Sequence, residues 1–306
     1  MIDLHRSAPR LCLALGLLLG GCLPGVSEKT SDTDAPTETG EPTETSTPQV
    51  ATGWYHSCLL DAKGQLSCWG WDHLEQATPP SYTLFEKVDG GYYHTCGITS
   101  DSEVTCWGDD SLNQADTPIG TFVDVAADGH FGCAVHESGL LDCWGFDSSE
   151  QASPPDGTFS SVTAGSDFAC ALDGDGATSC WGHDVYSVVS KVPSTPFTGI
   201  SAGIQHACGL DADGAITCWG DDTHGQIGDT PTGTFVQVAV GGYHSCAIDT
   251  EGALHCWGYD SYEQVTDTPG GAYMDVSCGL EHCLALTTEQ ELTCWGRETH
   301  SQCEGP

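Results

Sequence analysis

Residues 206–219 have the sequence HACGLDADGAITCW, and this stretch decides the fold. Apolar and small residues alternate on both sides of Asp213-Gly214, which predicts two antiparallel strands joined by a tight turn. Because side chains alternate between the faces of a strand, Cys208 and Cys218 share one face and Trp219 lies on the other. The stretch therefore predicts a β-hairpin that is covered on both faces.

The same pattern occurs seven times between residues 50 and 306, at a period of 37 to 38 residues. Such self-similarity indicates an array of small sheets. Each unit is long enough for three or four strands that are buried on both faces. Seven such units closed into a ring predict an all-β, seven-bladed propeller. The alternative is a β-solenoid, which has shorter rungs. One tryptophan marks each unit: Trp69, Trp107, Trp144, Trp181, Trp219, Trp257 and Trp295. The residues expected opposite the tryptophans are small: Gly97, Ala134, Ala171, Gly209, Ala247 and Ala285.

Paired cysteines are added to this pattern in six units, ten residues apart and symmetric about the turn. Directly opposed residues on adjacent strands bring their Cβ atoms to about 4.5–5.5 Å, so a disulfide is feasible with some twist. The His-x-Cys pattern with a later cysteine also resembles metal ligands, but an exported chain favours disulfides. The predicted pairs are Cys58–Cys68, Cys96–Cys106, Cys133–Cys143, Cys170–Cys180, Cys208–Cys218 and Cys246–Cys256.

The seventh unit departs from this spacing, because Cys283 lies one residue before the usual slot, which holds Leu284. Period-two alternation turns Cys283 away from Cys294. This parity favours Cys278–Cys283 and Cys294–Cys303. The alternative is Cys283–Cys294 with Cys278–Cys303, which requires a bulge near Cys283.

The N-terminus resembles an export signal. Two arginines precede an apolar run at residues 11–19 that is too short to span a bilayer, which predicts a signal peptide over residues 1–21. The run ends Leu19-Gly20-Gly21-Cys22, which resembles a bacterial lipobox, so Cys22 is predicted to be lipidated and to become the first mature residue. The alternative is an ordinary cleaved signal in which Cys22 is incidental.

Residues 22–49 contain mostly Ser, Thr, Pro, Gly and acidic side chains, which cannot bury enough surface to fold. They predict a disordered tether between the lipid anchor and a propeller over residues 50–306. The expected location is the bacterial cell envelope, anchored in the outer membrane or at the cell surface.

The chain is strongly acidic, with 44 Asp and Glu residues against 7 Lys and Arg and a net charge of −37. This charge disfavours nucleic acid and anionic lipid surfaces, so membrane contact is expected through the anchor only. Weak cation binding by the acidic surface remains open. Asp211-x-Asp213-Gly214 and Asp173-x-Asp175-Gly176 have calcium-like spacing, but neither continues as a calcium loop and both fit hairpin turns.

Five units carry G-x-x-H before the first cysteine, all seven carry W-G, and two carry D-G at the turn, at Asp175-Gly176 and Asp213-Gly214. Asp222-Thr223-His224-Gly225-Gln226 follows one W-G. These motifs resemble the regulator of chromosome condensation repeat family, and the short period is similar to its bacterial branch, which includes a β-lactamase inhibitory protein. The resemblance implies a seven-bladed propeller. The units depart from it at Phe131 and Phe168, which replace His, at Val188, which replaces Gln, and at Asp128, which replaces Gly.

No catalytic constellation is recognisable, and no enzyme activity, cofactor or metal site is predicted. A feature repeated in every unit is more typical of packing or turn capping than of catalysis. The repeated residues are the histidines His56, His94, His206, His244 and His282 and the aspartates Asp72, Asp110, Asp147, Asp184, Asp222 and Asp260.

Aromatic residues that differ between units are the better guide to function. The Gly-x-x-His turns and the loops after Trp-Gly are predicted at one end of the propeller, where exposed Tyr and Trp favour protein recognition; alternatively they only cover the blade tops. We therefore expect a binding or scaffold propeller with an unidentified protein partner. The resemblance implies as alternatives an inhibitor of a secreted or periplasmic enzyme, or a guanine-nucleotide exchange factor. The candidate partner-binding residues are Trp71, Tyr93, Phe146, Tyr186, Tyr259 and Tyr262.

Overall fold

The computed structural model describes residues 46–305. The predicted signal peptide, the lipidation site Cys22 and nearly all of the predicted tether lie outside the described residues. Within residues 46–305, no helix is long and apolar enough to span a bilayer. The first strand begins at Gln49, one residue before the predicted start of the propeller.

The described chain contains twenty-one strands in seven three-stranded antiparallel sheets, each formed by consecutive strands. We number these sheets as blades 1 to 7. The strands of blades 1 to 4 are β1 (Gln49–Thr52), β2 (His56–Leu60), β3 (Leu66–Gly70), β4 (Phe85–Gly90), β5 (His94–Thr99), β6 (Val104–Gly108), β7 (Phe122–Asp128), β8 (Phe131–His136), β9 (Leu141–Gly145), β10 (Ser161–Ala164), β11 (Phe168–Leu172) and β12 (Thr178–Gly182). The strands of blades 5 to 7 are β13 (Gly199–Ala202), β14 (His206–Leu210), β15 (Ile216–Gly220), β16 (Phe235–Val240), β17 (His244–Asp249), β18 (Leu254–Gly258), β19 (Tyr273–Cys278), β20 (His282–Thr287) and β21 (Leu292–Gly296). A 3-10 helix, Val185–Ser187, follows β12.

Turn chemistry explains the hairpin of blade 5. The Asp211 Oδ1 atom accepts hydrogen bonds from the backbone N–H groups of Asp213 and Ala215, both at 2.9 Å. Gly214 has a φ of +78°, and a Cβ atom there would lie 2.9 Å from the carbonyl oxygen of Phe235. Glycine is therefore required, because the backbone is left-handed and the next blade approaches closely. The Asp-x-Asp-Gly spacing is used here for a hairpin turn.

The hairpin register corrects one prediction. Since Cys208 lies opposite Cys218, antiparallel pairing places Trp219 opposite Ala207, before Cys208, and not opposite Gly209. Gly209 instead faces the ring of Phe197, which a Cβ atom would approach to 2.6 Å. The residues that do lie opposite the seven tryptophans are Ser57, Thr95, Gly132, Ala169, Ala207, Ser245 and Cys283.

The tryptophans join each blade to the preceding one. In blades 2 to 7 the indole Nε1 atom donates to a backbone carbonyl in the loop that ends the previous unit, for example from Trp107 to Gln76 at 3.0 Å. The same bond closes the ring, because Trp69 of blade 1 donates to Gln302 at 2.9 Å. Each indole also packs against apolar residues of that neighbour, as Trp107 does with Cys58 and Leu60. The first strands of successive blades contact one another around the axis, including β19 with β1.

Eight disulfides are present in the described residues. The six pairs predicted at ten-residue spacing are bonded, with Cα–Cα distances of 4.0 to 4.1 Å. In blade 7 the register pairs Leu284 with Cys294 and Cys278 with Cys283. The structure accordingly contains Cys278–Cys283 and Cys294–Cys303, the arrangement that the parity argument favours. The second bond holds the loop that carries Gln302 against blade 7, where the ring closes.

Candidate functional site

One end of the propeller carries most of the aromatic residues that differ between units. In each blade the second strand runs away from the Gly-x-x-His turn and the third returns to it, so both loops emerge at the same end. The contact is direct in blade 1, where the Trp71 N–H donates to the Tyr55 carbonyl at 2.9 Å. The Asp-Gly hairpins lie at the opposite end. We call the first end the loop face.

A continuous aromatic patch lies on blades 1 and 2 of the loop face. The Tyr55 ring centroid is 5.4 Å from that of Trp71 and 6.2 Å from that of Tyr93, and Trp71 and Tyr93 are 5.8 Å apart. Trp54 contacts Tyr55 and Tyr92, and Tyr92 contacts Tyr93. All five rings are half-buried. They present aromatic surface at the loop face, and we call them the blade 1–2 patch.

Three histidines extend this patch, and the sequence reasoning did not select them. His130 packs edge-on against Tyr92 at 5.0 Å, and His300 lies 4.6 Å from Trp71. His73 contacts the other side of Trp71 at 5.6 Å. An open pocket of about 500 Å³ lies beside Trp71 and is lined by Gly70, Trp71, Asp72, His73, His300 and Ser301. The signal that could have found two of them is positional, since His130 occupies the slot of Tyr93 and His300 the slot of Tyr186 and Tyr262. His73 occupies a slot that was not chosen in any unit.

The remaining predicted residues do not join the blade 1–2 patch. Tyr259 belongs to a separate cluster, in which its ring lies 4.9 Å from His224 and 6.2 Å from Tyr243. Tyr262 lies under a cation, with the Arg297 guanidinium 4.9 Å from its ring centroid. Phe146 and Tyr186 are on blades 3 and 4, away from both groups. The structure thus brings together only Trp71 and Tyr93 of the six predicted residues.

The repeated histidines are structural, as the symmetry argument expects. His56 and His206 are fully buried, and their Nε2 atoms lie 2.8 and 2.9 Å from hydroxyls of the next blade, on Thr95 and Ser245. Burial lowers the pKa of every one of these side chains, to about 3 for His56, His244 and His282 and to about 4 for His94 and His206. They are therefore neutral at physiological pH.

The same contact explains where phenylalanine replaces histidine. The residue that faces the ring from the next blade is Ala169 for Phe131 and Ala207 for Phe168, so no hydroxyl is left without a partner. His94 is the exception, because the residue that the next blade places opposite its ring is Gly132, so no side-chain hydroxyl meets the ring. The histidine positions thus follow the chemistry of the adjacent blade.

The repeated aspartates cap the loops after Trp-Gly. For example, the Asp72 Oδ1 atom accepts the N–H of Ala77 at 2.8 Å, and Asp222 accepts those of Ile227 and Gly228 at the same distance. The glutamine that ends most of these loops is fully buried, and its side-chain oxygen accepts an N–H two residues earlier, as Gln76 does from Leu74. These groups fix the shape of the loop face.

A cluster of potential metal donors is found in the described chain at the junction of blades 6 and 7. Donor atoms of His244, Cys278 and Cys283 lie within 4.8 Å of one another. Both sulfurs belong to one disulfide, and His244 Nε2 lies 3.0 Å from Cys283 Sγ. Cys283 therefore takes the place of the Ser or Thr that meets the histidine in other blades.

The axis of the propeller holds partly buried carboxylates in a cavity of about 210 Å³. Asp89 accepts the N–H of Ala127 at 3.0 Å, and Asp275 accepts that of Val50 at 2.7 Å, so each bridges two neighbouring blades. Asp128 accepts the indole N–H of Trp54 at 3.0 Å. Burial raises the pKa of all three, to about 6 for Asp89 and about 7 for Asp128. Lys87 is ion-paired with another axial carboxylate, Asp124.

The blade geometry and the loop motifs together define a disulfide-stapled, seven-bladed propeller. Comparison with known protein families supports this fold class. The regulator of chromosome condensation (RCC1) repeat matches residues 49–76, 85–114, 197–226, 235–264 and 275–302, which are blades 1, 2, 5, 6 and 7. Each match begins at or near the innermost strand of a blade and ends at or near the buried glutamine position. The chain belongs to the RCC1 repeat family. The two unmatched blades are those in which phenylalanine replaces the repeated histidine.

Solved structures give the same fold. The ectodomain of the receptor kinase CR4 from Physcomitrella patens is 26% identical with a TM-score of 0.72, over 81% of this chain and 73% of that chain. The CRINKLY WD40 ectodomain of the Arabidopsis thaliana receptor kinase ACR4 is 25% identical with a TM-score of 0.69, over 81% and 96%. Prp20p from Saccharomyces cerevisiae, which is described with its binding to Gsp1p and histones, is 14% identical with a TM-score of 0.66, over 83% of each chain. No curated protein matches the chain.

Proposed function

We propose that this protein is a binding propeller that recognises a protein partner through the blade 1–2 patch and acts outside the cytoplasm. The observation that carries the proposal is the patch itself, which places five contacting aromatic rings, half-exposed, on a rigid blade-and-disulfide scaffold. Tyr and Trp of this kind dominate binding energies at protein interfaces. Rigid loops also lose little entropy on binding, which favours affinity.

The proposed location is supported by the cysteines and by the similar structures. Eight disulfides in a chain of this size are typical of proteins that fold in an oxidising compartment. Two of the similar structures are receptor ectodomains. Together with the lipobox-like Leu19-Gly20-Gly21-Cys22, this favours a lipoprotein of the bacterial cell envelope, with a tether between the anchor and the propeller.

Binding by the patch can be tested on intact cells. We expect Trp71→Ala with Tyr93→Ala to leave folding intact and to weaken partner binding by about 1–4 kcal/mol, or roughly five- to a thousandfold in Kd. The matched control is Asp213→Ala with Glu251→Ala, which alters exposed residues on the hairpin turns of blades 5 and 6, at the end opposite the loop face. Cross-linking followed by mass spectrometry should recover the same adduct from wild type and control but not from the patch variant. Equal loss in both variants would remove the reason for choosing the loop face.

The anchor is tested separately. We expect Cys22→Ser to release the protein from the membrane fraction, or to leave it with an uncleaved signal, because lipid attachment would require the Cys22 thiol. Membrane partition and mass spectrometry of the N-terminal peptide measure the two outcomes. An unmodified wild-type N-terminus with unchanged partition of the variant would contradict the lipoprotein proposal without affecting the binding proposal.

A further inference from the structure

The corner of the blade 1–2 patch around Trp71 is one of two similar aromatic groups on the loop face, because Tyr259 packs with Tyr243 and His224 in the corresponding slots of blades 5 and 6. This corner differs in that it also contacts Tyr93 of blade 2 and adjoins an open pocket. The position after Trp-Gly is aromatic at Trp71, Phe146 and Tyr259, whereas it holds Asp109 in blade 2 and Arg297 in blade 7. The Trp71 ring contacts Tyr55, Tyr93 and His300, so it joins blade 1 to the closing loop of blade 7. We call Tyr55, Trp71, Tyr93 and His300, with the adjoining pocket, the Trp71 corner.

Among the described residues, the carboxylates of Asp72 and Glu281 lie near this corner, and the arginine beside it is already paired. Asp72 lines the pocket, and its carboxylate is held in place by the N–H of Ala77 and the hydroxyl of Thr78, both at 2.8 Å. Burial and then Tyr93 raise the pKa of the Tyr55 phenol, while Arg297 lowers it and Glu281 raises it to a smaller extent. This Arg297 is already ion-paired with Glu281. A cationic group from outside therefore meets aromatic faces and the Asp72 carboxylate here.

The loop face already holds one cation between an aromatic ring and a carboxylate. The Arg297 guanidinium lies over the Tyr262 ring at 4.9 Å while it donates to the Glu281 carboxylate. An aromatic face combined with a carboxylate is a favourable arrangement for a guanidinium, which is planar, weakly hydrated and always charged. The Trp71 corner offers the same two elements, but with a pocket of about 500 Å³ in place of a resident arginine.

We propose that the Trp71 corner receives an arginine side chain from a basic protein partner, with the guanidinium stacked on Trp71 and facing the carboxylate of Asp72. The net charge of −37 supplies the long-range attraction for a basic partner, and the aromatic corner supplies the local specificity. This inference rests on the proposed binding function and adds the chemistry that the partner must present.

The tryptophans provide an internal readout, because their indole N–H groups differ. The seven blade tryptophans donate to backbone carbonyls, and Trp54 donates to Asp128. Trp71 Nε1 has no hydrogen-bond partner. In a spectrum of ¹⁵N-labelled indoles, a ligand in the Trp71 corner should shift the Trp71 signal and leave those of the seven blade tryptophans in place.

The probes are a short peptide, acetyl-Gly-Arg-Gly-Arg-Gly-amide, and its counterparts with citrulline or lysine in place of arginine. Citrulline keeps the shape and most hydrogen-bonding groups of arginine but has no charge. We expect the arginine peptide to shift the Trp71 signal with at least tenfold tighter apparent Kd than the citrulline peptide, and tighter than the lysine peptide. Added salt should weaken the interaction without abolishing it, since stacking is screened less than charge attraction.

The variants separate local recognition from general attraction to an acidic protein. Calorimetric titration serves for the variants, because Trp71→Ala has no Trp71 signal. Trp71→Ala should abolish the preference for arginine over citrulline, whereas Tyr259→Ala, in the other aromatic cluster, should leave it unchanged. Equal binding of citrulline, equal binding of lysine, or an unchanged preference in Trp71→Ala would each overturn the inference. If Trp71→Ala weakens partner capture on cells but the peptides show no preference, only this inference fails. If the peptides behave as expected but capture is unchanged, the proposed function fails.

Discussion

Complete reduction of the eight disulfides is expected to unfold the propeller at neutral pH and room temperature. Six of the bonds close loops of ten residues, and the other two close loops of five and nine. In the chain-entropy model each such loop contributes about 2–3 kcal/mol, so the eight together contribute on the order of 16–24 kcal/mol. This exceeds the roughly 5–15 kcal/mol by which folded proteins are usually stable. The reduced chain should therefore be unfolded at equilibrium, even though its thiols could still pack against the tryptophans.

The measurement is guanidinium unfolding followed by tryptophan fluorescence, since the seven indoles at blade junctions report their own burial. Oxidised protein should show a cooperative transition, and protein that has been unfolded, reduced and returned to native buffer should show none. A matched variant with Cys170→Ala and Cys180→Ala should still fold and should lose only about 2–3 kcal/mol. A reduced chain with an unchanged unfolding midpoint would show that the sheets and blade junctions suffice without the bonds.

Much of this fold was predictable because its determinants are local and repeated. The turn at Asp213-Gly214, the alternation around it and the period of the tryptophans specify hairpin, sheet and ring without knowledge of long-range contacts. Cys283 lies one residue before the usual cysteine slot, and a shift of one residue moves a side chain to the other face of a strand. This shift alone predicted that Cys283 would not pair with Cys294. The prediction that Gly209 lies opposite Trp219 was wrong because it counted along one strand. The partner of Trp219 is set by the register between the two strands, which makes it Ala207.

The candidate site was less predictable, because it is assembled from different blades. Nothing in the sequence places His300, close to the end of the chain, against Trp71 near its beginning, since that contact exists only after the ring closes. Likewise Phe146 and Tyr259 occupy the slot equivalent to that of Trp71, but Tyr259 packs in a separate cluster with Tyr243 and His224 and does not join the blade 1–2 patch. The position of a residue within a repeat predicts which end of the propeller its side chain is on. It does not predict whether the adjacent blades carry aromatic residues that contact it.

Acid is expected to destabilise the propeller steeply between about pH 6 and pH 4. Burial holds the pKa values of five repeated histidines at about 3 to 4 in the folded protein, whereas unfolded histidine titrates near 6.5. Within this window the unfolded chain binds these protons and the folded chain does not. Stability therefore falls as pH falls, because protons favour the state that binds more of them.

The axial carboxylates oppose this trend. Burial raises the folded-state pKa of Asp89 to about 6 and of Asp128 to about 7, and also raises that of Asp275. Between these pKa values and about pH 4, the folded chain binds protons that the unfolded chain does not. These carboxylates therefore increase the free energy of unfolding as the pH falls. Five histidines against two or three aspartates leave a net excess of about two to three protons on the unfolded chain. The expected slope is about 3–4 kcal/mol per pH unit near pH 5.

Two variants should change this slope in opposite directions. His94→Phe removes one histidine that meets no side-chain hydroxyl of the next blade, and Phe168 already occupies the equivalent slot beside Gly165, so the change should be tolerated at pH 7. It should flatten the slope by about 1.4 kcal/mol per pH unit, the value for one proton. Asp128→Asn keeps an acceptor for the Trp54 indole but removes an opposing carboxylate, so it should steepen the slope by a similar amount.

Guanidinium midpoints measured from pH 7 to pH 4 provide the slopes, with His206→Phe as the control for the histidine contact. That variant should also flatten the slope, but it leaves the Ser245 hydroxyl without its ring partner and should cost about 1–3 kcal/mol at pH 7. His94→Phe should carry no such cost. If both variants were equally destabilised at pH 7, the hydroxyl of the next blade would not be what selects histidine over phenylalanine. If neither changed the slope, the buried histidines would not be the groups that make the propeller sensitive to acid.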